Sequence, residues 1–194
     1  MNPFVVGISK LGRWSRRVDA LNSLLKTKDL PGGGWRYLGE WTWSFSAYPY
    51  HGHGEMFDRV SAHRGLIAWR SFSKRETHGE IWIQLLPYVT RSDAESQIPK
   101  DSSMFARNKA FEGSVSEDRP VEYSVQGIDH AVLFEVRKWN ERGNGMSRYV
   151  CGNVENVVVV VAGTADGEGI PWDQMVSIAA LQAERIREHL GRSK

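Results

Sequence analysis

The chain has 194 residues, 41% of them hydrophobic, with 25 Lys and Arg against 23 Asp and Glu. That length suits one domain with a sizeable core, and a net charge of +2 gives no basic excess for binding phosphate backbones, so nucleic acid is not expected as a partner. A lone cysteine, Cys151, excludes an internal disulfide and a thiolate-rich zinc site, and it fits a reducing compartment.

A single domain over 1–194 is expected, with 1–14 as a flexible or peripheral segment. There, the apolar run PFVVGI is shorter than a signal-peptide core, and its charges, Lys10 and Arg13, follow it instead of preceding it. No stretch approaches the roughly 20 apolar residues of a spanning helix, so the expectation is a cytoplasmic chain with no membrane span. Lys10, Arg13, Arg16 and Arg17 with Trp14 read as a solvated basic helix face.

The first helix is expected from Ser15, a candidate N-cap. Val18, Leu21, Leu24 and Leu25 recur at spacings of three and four, and Pro31 with three glycines ends the segment. WRYLGEWTWSF follows, with rings at Trp35, Tyr37, Trp41, Trp43 and Phe45 and mostly polar residues between them. This alternation predicts a half-buried strand whose rings face the core; rings stacking on a sugar or flat heterocycle at an open sheet face are the alternative. Gly39, inside the strand, signals a bulge or a close backbone approach.

Residues 46–64 read as a Pro, Gly and His segment with a short helix around EMFDRVSAH. Within YHGHGE, His51, His53 and Glu55 fall at every second residue, which in an extended segment puts two imidazoles and a carboxylate on one face, a set that could bind zinc. The interleaved glycines and Pro49 argue instead for an exposed loop. GLIAWRSF and EIWIQLLPY, joined by SKRETHG, form a hairpin, with Ile81, Ile83 and Leu85 facing one way and Trp82, Gln84 and Leu86 the other. TRSDAESQI opens with Thr90 and early acids, as a short helix does, and Pro99 ends it.

Residues 100–119 are polar, with Met104, Phe105 and Phe111 as candidate anchors. Strands are then expected at VEYSVQG, HAVLFEVRKW and SRYVCGNVENVVVVVAG, the last broken at Gly152 and Asn153. The valines Val157 to Val161 do not alternate, which predicts a central strand covered on both faces. The turn GTADGEG leads to a final helix with Pro171 in its first turn and a stripe of Met175, Ala179, Gln182, Ile186 and Leu190. Strand, loop and helix occur in the same order around residues 79–96 and 155–180, a weak internal echo.

Short polar turns between consecutive strands favour antiparallel pairing. The expected fold is therefore α+β, a twisted antiparallel sheet packed against N- and C-terminal helices. With DLPGGGW entering the first strand, AWRSF and IWIQLLPY as a hairpin, and NVENVVVVVAG before PWDQMVSIAALQAERI, the chain resembles actinobacterial PsbP-like proteins. It is similar as well to the extracellular sensor domain of a mycobacterial serine/threonine kinase. The resemblance covers about residues 20–190 and implies the fold; it includes no catalytic motif, and it carries over no ligand, because no binding motif matches.

No catalytic signature emerges. Cys151 with His130 and Asp129 would need to meet in space, and Cys151 sits in an apolar strand context where cysteine acts as a small hydrophobe. There is no G-x-S-x-G elbow, and neither glycine loop has the ending of a phosphate-binding loop. The expectation is a non-enzymatic module that binds a protein partner or a small apolar ligand, with Trp69, Trp82 and Trp139 lining the ligand site. The alternatives are a zinc protein or metal-dependent enzyme using His51, His53 and Glu55, and a structural homodimer joined through an aromatic face.

Overall fold

The structure, a computed structural model, describes residues 17–44, 66–98, 118–121, 124–140 and 143–191. The expected helix around EMFDRVSAH, the His51, His53 and Glu55 loop and the anchors Met104, Phe105 and Phe111 lie outside the described residues.

The hairpin follows the period-2 pattern. Strands β2 (Leu66–Lys74) and β3 (Gly79–Pro87) pair antiparallel across a single 3-10 turn, Arg75–Thr77, which His78 closes in the left-handed region at φ 44. Strand β1 (Arg36–Ser44) precedes them, and β4 (Asp118–Val121), β5 (Asp129–Asn140), β6 (Gly143–Val154) and β7 (Val157–Asp166) follow. Together these make one antiparallel sheet in the order β1-β2-β3-β7-β6-β5-β4.

The valine run occupies the sheet's interior as its lack of alternation requires. All five residues from Val157 to Val161 are buried, between β3 on one side and β6 on the other. On one face Val157, Val159 and Val161 join Ile81, Ile83 and Leu85 beneath the helices α1 (Arg17–Asn22) and α3 (Trp172–Gly191). On the other, Val158 and Val160 pack with Ile67, Leu86, Phe134 and Cys151 beneath the short helix α2 (Arg91–Glu95). Each such side chain, fully buried, contributes about 1.5–3 kcal/mol.

The helices begin and end for local reasons. Thr90 caps α2 by accepting from the Asp93 N–H at 3.0 Å, while the Asp93 carboxylate accepts from the Thr90 N–H at 3.1 Å, a reciprocal capping box. In α3 the buried positions Met175, Ile178, Ala179, Gln182, Ala183 and Ile186 recur at helical spacing, and the Pro171 carbonyl accepts from the Met175 N–H. Gly163 on β7 is what lets this helix lie close, since a Cβ there would stand 2.6 Å from Met175 Sδ. Arg148 on β6 fastens the helix start by donating to the Ile170 carbonyl, with its guanidinium 5.3 Å from the Trp172 ring centre.

Four expectations are corrected. The first helix stops at Asn22, and Leu24 and Leu25 are buried from an irregular segment instead, because Arg70 and Gln182 satisfy its backbone from outside. The break expected at Gly152 and Asn153 falls at Glu155 and Asn156, where Glu155 takes φ 54 and β6 turns into β7. The strand expected at VEYSVQG is described over Asp118–Val121 and does not extend over 124–127, Glu122 and Tyr123 lying outside the described residues, and Val125 to Ile128 form a turn closed by an Ile128 N–H to Val125 carbonyl bond. The internal echo is not a structural repeat either, since α2 follows β3 onto one face of the sheet and α3 follows β7 onto the other.

Candidate functional site

The aromatic strand does not present its rings to one side. The register shifts between Tyr37 and Gly39, so that Tyr37 lies opposite Phe72 while Trp41 lies opposite Trp69. Phe72 belongs to the face under α1 and α3, whereas Trp69 alternates with it onto the α2 face. One extra residue, Leu38, has therefore put the two halves of the row out of phase.

The consequence is exposure. Tyr37 is 52% exposed, Leu38 51% and Trp41 41%, so the core reading of this row fails for them. Trp35, just ahead of the strand, is the ring that is buried, with its N–H donating to the Pro31 carbonyl at 3.0 Å. The side chains of Trp43 and Phe45 lie outside the described residues.

Trp41 instead stacks on Trp69, with ring centres 4.3 Å apart and planes 25° from parallel. Its six-membered ring lies down over Gly39, where a Cβ would come within 2.7 Å of it. A side chain and a flattened indole cannot share that space, which accounts for the glycine in the middle of an edge strand. Gly39→Ala should lift the ring, cost about 1 kcal/mol and weaken the circular-dichroism exciton couplet that two stacked indoles produce. An unchanged couplet would refute this placement of Trp41.

Further along the same face, Trp82 on β3 meets Tyr149 on β6 edge-on, with centres 6.2 Å apart. They reach each other over β7 because Ala162, the register partner of both, carries only a methyl group. Tyr149 in turn stacks on Phe134 at 5.0 Å. Trp69 and Trp82 thus share this face, as alternation along the hairpin places them, while the backbone of Trp139 on β5 pairs with Asn144 on β6 and its ring lies outside the described residues. Pattern reading passed over Leu38, Tyr149 and Phe134 as site residues; the one local signal was Gly39.

The candidate set of Cys151, His130 and Asp129 is divided between the core and the surface. Cys151 is fully buried beneath α2, and burial pushes its thiol up to about 12. His130 and Asp129 are solvent-facing at the start of β5, where Asp129 pairs with Arg91 at 3.3 Å and His130 stands 3.7 Å from Glu95. Tyr88, buried in the same cluster as Cys151, has its hydroxyl held protonated by burial first and then by Cys151 and Asp93. Among the described residues, no three His, Cys, Asp or Glu side chains converge as metal ligands.

A buried thiol of this kind has two consequences. Native protein should resist alkylation at neutral pH and react at Cys151 only on unfolding, and rapid labelling without loss of structure would contradict the burial. The unfolded chain releases this proton near the ordinary thiol value of 9.0 and the folded chain at about 12, so stability should fall as pH rises between them.

No family model matches the chain, and no curated protein matches it. Among solved structures it is similar to the extracellular domain of PknH from Mycobacterium tuberculosis, with a TM-score of 0.54, 12% identity, and coverage of 86% of this chain and 93% of that one. At such identity the likeness shows the fold alone: an α+β arrangement with an antiparallel sheet. Among the described residues, no helix is long and apolar enough to cross a membrane.

Proposed function

We propose that this chain is a non-enzymatic, PsbP-like binding module of the cytoplasm, which takes a protein partner or a small apolar ligand on the aromatic side of β1, β2 and β3. The observation that carries it is the exposure of Trp41 on that side, with Leu38 at the bulge and Tyr37 on the opposite face also exposed along the same strand, which has no neighbour beyond it among the described residues. A strand with no further strand beside it among the described residues, carrying exposed apolar side chains, is the kind of surface that strand addition by a polypeptide uses. The opposite edge differs, since β4 contains Pro120, which lacks a backbone N–H and discourages pairing. For a small ligand, the stacked Trp41 and Trp69 offer a flat apolar platform. A homodimer through the β1 edge is the second reading, supported by the same exposed residues.

The test is native mass spectrometry of protein purified gently from its own source, beside a variant carrying Leu38→Glu and Trp41→Ala. The wild type is expected to carry an added protein or organic mass that the variant lacks; a doubled mass lost in the variant selects the homodimer. An added zinc mass lost on His51→Ala and His53→Ala would replace this reading with the metal one. A bare wild-type mass, or an adduct that the variant keeps, overturns binding at the aromatic edge. The cytoplasmic assignment rests on the lone buried cysteine, and recovery of the protein from a membrane or secreted fraction would end it.

A further inference from the structure

No further inference is drawn: the strongest candidate beyond the aromatic edge, the groove of about 460 Å³ on the outer flank of α3 lined by Gln126, Leu181, Glu184 and Glu188, carries nothing because nothing in the structure shows what covers it.

Discussion

Replacing Arg70 with alanine is expected to destabilise the fold by about 3–5 kcal/mol. Arg70 is only 7% exposed, and its guanidinium donates to the carbonyls of Leu21 at 3.2 Å, Leu24 at 3.2 Å and Leu25 at 2.8 Å. It also makes two bonds to Glu40 Oε2, at 2.9 and 2.5 Å. Past the end of α1 the backbone has no helical turn to pair with, and this one side chain supplies donors for the Leu24 and Leu25 carbonyls of the irregular segment and a second donor for the Leu21 carbonyl in the last turn of α1, which also accepts from the Leu24 N–H. Gln182 completes the arrangement from α3, accepting from the Leu25 N–H at 3.0 Å and donating to the Ser23 carbonyl at 2.7 Å.

Removing the guanidinium leaves buried carbonyls and one carboxylate unpaired, so the cost exceeds the loss of ordinary hydrogen bonds. Arg70→Lys should recover only part of it, because an ammonium lacks the planar fork that reaches several carbonyls together. Equilibrium urea unfolding measures the loss, and hydrogen exchange should show the amides of residues 21–25 opening first. A loss under about 1 kcal/mol for Arg70→Ala would mean that this latch is dispensable.

Gly152→Ala is expected to cost about 2–3 kcal/mol, whereas Gly145→Ala on the same strand should be nearly neutral. A Cβ at Gly152 would stand 2.2 Å from Ile128 Cγ2, 2.9 Å from the Asp129 carbonyl oxygen and 3.2 Å from Ala131 Cα. Ile128 could swing away, but the other two atoms are backbone of β5, so the strands themselves would have to part. At Gly145 the one neighbour among the described residues is the Ala165 carbonyl oxygen at 3.5 Å, ordinary contact. Comparing denaturation midpoints of the two variants isolates the effect of the close approach from that of adding a methyl to a strand, and equal midpoints would refute it.

Gly152 and Gly39 mark the limit of what pattern in the sequence decides. In the sequence, Gly152 suggests a break in a strand; in the structure β6 runs straight through it to Val154, and the glycine serves the passage of Ile128 overhead. At Gly39 the sequence offered two readings, a bulge and a close backbone approach. Both are realised, one by the register shift after Tyr37 and the other by the Trp41 ring. The exposure of Tyr37 and Leu38 could not follow from alternation, because a single extra residue inverts the assignment of everything on one side of it.

What the residues determined locally is the hairpin of β2 and β3, the capped helix at Thr90, the stripe of α3 and the doubly covered valines. Each depends on a period of two or 3.6, or on a turn or cap within a few positions, and such signals are complete in the chain itself. Only the tertiary structure decided which face each helix covers, why α1 ends where it does, and which rings meet. Arg70 lies 45 positions from Leu25 and Gln182 lies 157 from it, and Trp82 reaches Tyr149 only because Ala162 lies between them. Contacts over such separations arise from sheet order and register, which no local period encodes.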